Sequence, residues 1–323
     1  MDGGPRPGGR TRANDPTTLP GSDPDLLEPR EVPGVGLLDS WRGSERLHAL
    51  VPTPLALRAT DLLYRGLTRA RPGRLAAARE AMRAVAAPGT DEAELTRLAT
   101  ASVASQARAW ELYHRPRDLA RIPVDGLDHL AAARRAGGGL LVSYAHYGPE
   151  LAWLVLRRHV PLVALLGPWI TEDPPPGYRG LQVERKRALF VAARMGVAHV
   201  GGSAASQVRA LQAGGALLTA FDVPGRRATR YLGRTVEMVD STARMAVMTG
   251  SPVLPGTVVP RGSGWRIVLH PPLLPSAFGS AAELHQALAD VHGDAVAGAP
   301  QHYLNPIREG MWARADAAGW YRA

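Results

Sequence analysis

A histidine and a glutamate lie close together where an apolar segment changes character. Residues 140–156 read LLVSYAHYGPELAWLVL, so a strand-like run ends just before His146, and a helix-like run begins at Pro149 and carries Glu150. Imidazole is the side chain whose ordinary pKa best suits proton transfer near neutral pH. A carboxylate that hydrogen-bonds one ring nitrogen leaves the other nitrogen free to accept a proton. The spacing therefore predicts a His146–Glu150 general-base dyad that activates a hydroxyl or an amine.

The predicted elements place this pair at one edge of a sheet. The carboxyl end of a parallel strand, just ahead of a helix N-terminus, is where open α/β sheets form their ligand crevices. The helix dipole there disfavours an imidazolium and so favours a neutral His146. A purely structural interpretation stays open, because a glutamate such as Glu150 also suits the first turn of any helix.

Strand-like and helix-like segments alternate from about residue 121 onward. Buried-strand patterns occur at 137–145, 160–167, 197–201, 216–222 and 252–259, and an antiparallel strand is predicted at 265–270. Helical patterns lie between them, and two further helices are predicted at 281–296 and 300–320. Strands separated by helices predict an α/β fold, with a mostly parallel central sheet flanked by helices on both faces.

The chain divides into three predicted regions. Residues 1–35 are dense in Gly, Pro and Asp and are predicted to form a disordered tail. Residues 36–118 carry apolar side chains at helical spacing and predict an N-terminal helical region packed on the core. Residues 119–323 form the α/β core with C-terminal helices, and the Pro-rich stretch 167–180 is a candidate lid or surface loop.

The amino-acid composition indicates which classes of binding partner the protein should have. The 323 residues include no cysteine, which excludes disulfides and thiolate zinc sites. The formal net charge of +9 favours an anionic membrane surface, an acidic carrier protein or a phosphorylated cofactor. No run of five basic residues occurs, so nucleic acid is not expected as a partner. No apolar stretch reaches 18 residues, which predicts a cytoplasmic protein or one peripheral on the inner face of the cell membrane.

Two other enzyme classes fit the sequence poorly. A serine hydrolase of the Gly-x-Ser-x-Gly type would have to use the stretch GGSAAS around Ser203, which lacks the second glycine. A zinc enzyme would need more ligands than His146 and Glu150, and the ten histidines show no His-x-x-x-His pair. The sequence therefore predicts no bound metal and no tightly held cofactor.

Several sequence blocks occur in an order that resembles a known family. They are VDGLDHLAAARRAGGGLLVSYAHYGPELAW at 124–153, VRALQAGGALLTAFDVPG at 208–225, RYLGRTVEM at 230–238, STARMAVMTGSPVLPGTVV at 241–259 and PQHYLNPIR at 300–308. Together they resemble the lysophospholipid acyltransferase superfamily, in the branch of bacterial lipid A late acyltransferases and phosphatidylinositol mannoside acyltransferases. The resemblance covers roughly residues 85–315.

The resemblance implies an acyl transfer in which acyl-coenzyme A or acyl carrier protein is the co-substrate. His146 would deprotonate a hydroxyl or amine of a (glyco)lipid or similar acceptor, and Glu150 would orient the imidazole and stabilise its cation. A helix N-terminus or an arginine would stabilise the oxyanion. The residues that it implies for substrate binding are Tyr147, Gly148, Asp222, Gly225, Arg226, Gly233 and Arg234. Further candidates for binding an anion are Arg185, Arg187 and Arg227, each of which also suits a solvated surface.

One departure from the family bears on the site. The family places four residues between its histidine and its acid, whereas only Tyr147, Gly148 and Pro149 separate His146 from Glu150. Losing one residue turns an acid by about 100° around a helix axis unless the helix begins one residue later. Two alternatives therefore stay open: the same fold acting in specialised metabolism on a carrier-bound or small polar substrate, and a catalytically inactive binding subunit.

Overall fold

A computed structural model of the chain describes residues 48, 50–166, 180–199 and 204–303. Several sequence predictions lie outside these residues. They are the tail at 1–35, nearly all of the helical pattern at 37–50, the Pro-rich stretch up to residue 179, Ser203, and the final helix beyond residue 303.

The first described elements are helices, as the apolar spacing predicted. They are α1 (Thr53–Arg69), α2 (Pro72–Val85), α3 (Glu92–Tyr113) and the short α4 (Pro116–Leu119). Helix α3 begins at Glu92 because the Asp91 side chain accepts a hydrogen bond from the Glu94 amide at 2.7 Å. Helices α1 and α2 both pack against α3. Helix α3 is therefore the centre of the N-terminal region.

A seven-stranded, mostly parallel sheet follows, in agreement with the predicted fold class. Its strands are β1 (Val124–Asp125), β2 (Leu140–Tyr144), β3 (Leu162–Leu166), β4 (Gly196–His199), β5 (Ala216–Ala220), β8 (Val253–Arg261) and β9 (Gly264–Leu269). Their order across the sheet is β1-β9-β8-β2-β5-β3-β4. Strands β8 and β9 pair antiparallel, which confirms the prediction for 265–270.

Helices connect these strands and cover the sheet. They are α5 (Leu127–Arg135), α6 (Gly180–Ala192), α7 (Ala204–Gln212), α8 (Ser241–Thr249) and α9 (Ala281–Gly298), with 3₁₀ helices at Glu150–Arg158, Pro275–Ala277 and Pro300–His302. In the described part of the chain, no helix combines the length and the apolar character needed to cross a membrane.

The sheet is buried on both faces. Leu140, Val142 and Tyr144 of β2 belong to one apolar cluster, whereas Leu141, between them in sequence, belongs to a second cluster. Every residue of β2 is buried as a result. Burial on both faces explains why this strand is a continuous apolar run instead of an alternating pattern.

An antiparallel hairpin forms in a segment for which the sequence predicted binding residues but no strands. Strands β6 (Pro224–Tyr231) and β7 (Arg234–Met238) pair outside the main sheet, with a bulge near Pro224. Gly225 lies at this bulge, and a Cβ atom built on it would come within 2.3 Å of the Met238 backbone. The glycine therefore permits a close approach of two backbone segments, while Gly233 supplies the turn with φ of +74°.

Candidate functional site

Strand register brings His146 and Asp222 together. Strands β2 and β5 pair in parallel, with Tyr144 opposite Ala220 as the last pair. Each of the two polar residues comes two positions after its member of that pair. Because carboxyl ends of neighbouring parallel strands meet at one edge of the sheet, both side chains reach the same crevice.

Asp222 holds both the backbone and the ring of His146. Its Oδ2 accepts a hydrogen bond from the His146 amide at 2.9 Å, and its Oδ1 lies 2.7 Å from Nδ1 of the imidazole. The Asp222 side chain is 0% exposed, whereas that of His146 is 26% exposed. This arrangement favours the tautomer that carries hydrogen on Nδ1, which leaves Nε2 able to accept a proton.

Glu150 lies on the opposite side of the ring. Its Oε2 is 3.8 Å from Nε2, close enough for an ion pair but beyond a hydrogen bond. The hydrogen bond that the sequence predicted between this pair is therefore not formed, and Asp222 occupies the other nitrogen. The helix that carries Glu150 begins at Glu150 itself, one residue later than predicted, and it is a 3₁₀ helix. Pro149 precedes that helix instead of opening it.

Lys186, which was not predicted from the sequence as a site residue, completes the group. It projects from helix α6, and its Nζ forms an ion pair with Oε1 of Glu150. The residue is buried, and Nζ lies 5.7 Å from the centre of the Trp110 ring. A signal was present in the sequence, because Lys186 is the single lysine among 38 basic residues.

Opposing effects set the pKa values of these groups. Burial alone lowers the pKa of His146, but the negative charge of Asp222 and its hydrogen bond outweigh burial and raise that pKa overall. Burial alone raises the pKa of Asp222, yet the His146 charge and hydrogen bonds hold it below the ordinary value. For Glu150, burial is likewise outweighed, here by Lys186 and then by His146, so its pKa is lowered. Both carboxyls are therefore ionised at neutral pH.

Tyr147 and Gly148 support the turn that carries His146. The Tyr147 side chain is buried, and the Tyr147 backbone forms a bridge with Tyr303. The Gly148 amide donates to the His302 carbonyl at 2.8 Å. Gly148 has φ of +68°, and a Cβ atom built on it would lie 2.6 Å from the Val258 carbonyl oxygen. These contacts fix the path of the chain between His146 and Glu150.

We expect Gly148→Ala to destabilise the protein more than Gly250→Ala does. Both glycines have φ of +68°, but a Cβ atom on Gly250 would meet nothing within 4 Å. The positive φ alone costs about 1–2 kcal/mol, and the overlap with Val258 adds about 1–3 kcal/mol. Urea unfolding of the two variants measures the difference. Equal losses of unfolding free energy would show that the close approach to Val258 contributes nothing.

The remaining predicted binding residues lie on the hairpin. Gly233 and Arg234 are at its turn, at the opposite end from Asp222 in the strand pairing. Arg234 donates to the Arg83 carbonyl at 3.0 Å and lines a cavity of about 220 Å³ together with Glu92 of the N-terminal helices. Arg226 is exposed on β6. No hydrogen bond or ion pair among those described joins Arg226 or Arg234 to His146.

All three of the other arginine candidates, Arg185, Arg187 and Arg227, interact with other parts of the protein. Arg227 forms an ion pair with Asp240 at 3.0 Å. Arg185 precedes Lys186 on α6, and its Nε donates to the Tyr113 carbonyl at 2.7 Å. Arg185 therefore links helix α6 to helix α3 beside the site.

The chain has a distant likeness to one solved acyltransferase structure. No protein-family model matches the chain, and no curated protein matches it. Among solved structures, the crystal structure of the 1-acyl-sn-glycerophosphate acyltransferase of Thermotoga maritima is similar, with a TM-score of 0.34 and 14% identity. The alignment covers 61% of this chain and 82% of that one.

Proposed function

We propose that the protein is an acyltransferase of the lysophospholipid acyltransferase superfamily, in the lipid A late acyltransferase and phosphatidylinositol mannoside acyltransferase branch. It would move a fatty acyl group from acyl-coenzyme A or acyl carrier protein to a hydroxyl or amine of a (glyco)lipid or similar acceptor. The observation that carries the proposal is the 2.7 Å contact of His146 Nδ1 with the buried Asp222, while part of the imidazole remains exposed. The ordered sequence blocks support the choice of family.

The geometry suits a general-base mechanism. Nε2 of His146 takes the proton as the acceptor oxygen or nitrogen attacks the thioester carbonyl carbon. The tetrahedral intermediate then collapses, the carbon–sulfur bond breaks, and the imidazolium returns its proton to the departing sulfur. Asp222 stabilises the imidazolium through the bond to Nδ1 and keeps the ring oriented throughout. Asp222 thereby takes the orienting role that the family resemblance implied for Glu150.

Glu150 has a different part in this proposal. Its carboxylate lies 3.8 Å from Nε2, on the side where the acceptor must approach. A negative group at that distance stabilises the imidazolium by charge, without occupying the nitrogen. Stabilisation of the oxyanion by helix N-terminal amides or an arginine stays a prediction.

An exposed apolar surface supports a lipid acceptor. Leu55, Leu62 and Leu63 of helix α1 are 58%, 71% and 57% exposed. Arg58 and Arg69 of the same helix are exposed as well. Apolar side chains beside cationic ones suit an anionic membrane surface, which matches a protein peripheral on the inner face of the cell membrane. The same surface also suits a partner protein, for example one that delivers the acyl donor.

Mass spectrometry of products is the direct test. The purified protein is offered acyl-coenzyme A and acyl carrier protein, each with lipid, glycolipid and small polar acceptors. We expect one acceptor class to gain the mass of an acyl group, with release of the free thiol, and His146→Ala to abolish that gain. Acylation of only small polar acceptors would favour the role in specialised metabolism. An acyl donor that is bound but never consumed would contradict the proposal and favour the binding subunit.

A further inference from the structure

Two carboxylates flank one imidazole in this site. Asp222 is bonded to Nδ1, and Glu150 Oε2 is 3.8 Å from Nε2. The Asp222 side chain is buried and that of Glu150 is partly exposed, at 0% and 21% respectively. In such surroundings an imidazole between two negative charges strongly favours the protonated form, because the imidazolium then neutralises one of them. A permanently protonated His146 cannot act as a base.

Lys186 offsets this excess negative charge. Its Nζ pairs with Oε1 of Glu150, the oxygen that does not face the imidazole. With Lys186 present, the ionised Asp222 and Glu150 leave a net charge of about −1 around a neutral imidazole, whereas without it the charge would be about −2. The Glu150 carboxylate that Lys186 pairs with lies 3.8 Å from Nε2, beyond the length of a hydrogen bond.

We propose that Lys186 is a positioning residue, which holds the Glu150 carboxylate off Nε2 of His146 and so keeps that nitrogen available to accept a proton. The consequence for catalysis rests on the proposed acyl transfer, whereas the effect on the imidazole does not. Lys186 acts on the imidazole through Glu150 in this proposal, and its charge also lowers the pKa of His146 directly.

Among the described residues, five charged or titratable side chains from different elements surround the imidazole. Asp222 follows β5, Glu150 opens the 3₁₀ helix, and Lys186 lies on α6. Tyr144 at the end of β2 packs edge-on against the His146 ring at 5.6 Å, and burial raises the pKa of its phenol, so it stays neutral. Tyr113 of α3 lies beside Glu150 and is neutral for the same reason. Because both tyrosines are neutral, substitutions at Glu150 and Lys186 are the ones that change the charge on the Nε2 side of the imidazole.

The experiment measures the pKa of His146 directly by NMR titration of histidine-labelled protein, with the signal assigned by its loss in His146→Ala. We expect Lys186→Met to raise this pKa by about one unit or more, because Glu150 then pairs with the imidazolium. Lys186→Arg retains the positive charge and should stay within a few tenths of a unit of the wild type. Glu150→Gln should lower the pKa.

The double variant separates an effect through Glu150 from a direct effect of the lysine charge. In the Glu150→Gln background, Lys186→Met is expected to produce less than half of the shift that it produces alone. An unchanged His146 pKa in Lys186→Met, or an equal shift in both backgrounds, would overturn the proposal. Should Lys186→Met not fold, Lys186→Gln serves as the neutral variant.

Titration of Glu150 in the wild-type protein tests its ion pair with Lys186 without a substitution. The carboxyl carbon signal of Glu150 should titrate below the ordinary value of 4.5, because Lys186 and His146 outweigh burial. A Glu150 that titrates above this value would contradict the ion pair on which the proposal stands.

The pH dependence of kcat/KM tests whether the pKa of His146 controls turnover. The acid limb of kcat/KM should move upward in Lys186→Met by the same amount as the NMR pKa. A shifted NMR pKa in a protein that acylates nothing would leave the positioning role standing and reject the acyl transfer. Turnover by Lys186→Met with an unshifted acid limb would leave the acyl transfer standing and reject the positioning role.

Discussion

His146→Ala is expected to lower kcat by about a hundredfold to ten-thousandfold, the range that a positioned general base contributes. The substitution removes the nitrogen that accepts the proton of the attacking hydroxyl or amine. His292 also feels the Asp222 charge, but it is fully buried and its Nε2 is bonded to Ser143, so it should not replace His146. The ring is 26% exposed and lies at the end of β2, so the fold should survive its removal. Product mass spectrometry measures turnover, and circular dichroism and thermal unfolding measure the fold.

A matched control lies directly after the adjoining 3₁₀ helix. His159 follows the last residue of that helix and is exposed. His159→Ala should therefore retain wild-type turnover, which excludes a general effect of losing a histidine near the site. Wild-type product formation by folded His146→Ala would reject the proposed mechanism.

Asp222→Asn is expected to have an effect of similar size, about a hundredfold to ten-thousandfold on kcat. The amide that replaces the carboxylate can donate a hydrogen bond to Nδ1, and the imidazole then carries its hydrogen on Nε2. In that tautomer Nε2 cannot accept a proton. Glu150→Gln should have a smaller effect on kcat, because Glu150 does not set the tautomer. A larger loss in Glu150→Gln than in Asp222→Asn would return the orienting role to Glu150.

The pH dependence of this variant has a definite sign. The Asp222 charge raises the pKa of His146, so the pKa of His146 should fall in Asp222→Asn, and the acid limb of any residual kcat/KM should move to lower pH. NMR titration of the ring measures the same change independently of turnover. An acid limb that moves to higher pH would show that the Asp222 charge does not set the pKa of the base.

The stability of the folded protein should also depend on pH through Asp222 and His146. Asp222 has a lowered pKa in the folded protein, so its contribution is present above the unfolded value of 3.8 and is lost as pH falls through the folded pKa. His146 has a raised pKa, so its contribution is present below the unfolded value of 6.5 and is lost as pH rises through the folded pKa. The difference in Tm between wild type and Asp222→Asn should therefore be largest between pH 3.8 and 6.5.

Asp125→Asn is the control for stability. Its carboxylate pairs with Arg266 at 2.8 Å, but both side chains are nearly half exposed. Exposed pairs contribute about 0–1 kcal/mol, so its Tm should stay close to that of the wild type across the same pH range. A comparable loss in Asp125→Asn would show that burial of the Asp222 pair is not what matters.

Local sequence patterns were sufficient for the α/β class. The continuous apolar run of β2 predicted a strand buried on both faces, and helices between strands predicted parallel pairing. Both follow from the need to remove apolar surface from water, which acts on each segment independently of its neighbours in space. The same patterns placed His146 at a strand end, where parallel sheets open a crevice. The hairpin at 224–238 was missed, because its arginine-rich sequence lacks the apolar run of a buried strand.

The composition of the site depended on tertiary structure. Glu150 is near His146 in sequence, yet the register of β2 with β5 placed Asp222 on the imidazole instead. Lys186 is distant from Glu150 in sequence and reaches it only because α6 packs beside the 3₁₀ helix. Sequence by itself thus identified His146 as the candidate base and the edge of the sheet on which it lies. Its partners were decided by strand register and helix packing, because hydrogen bonds and ion pairs depend on distances that only the folded chain defines.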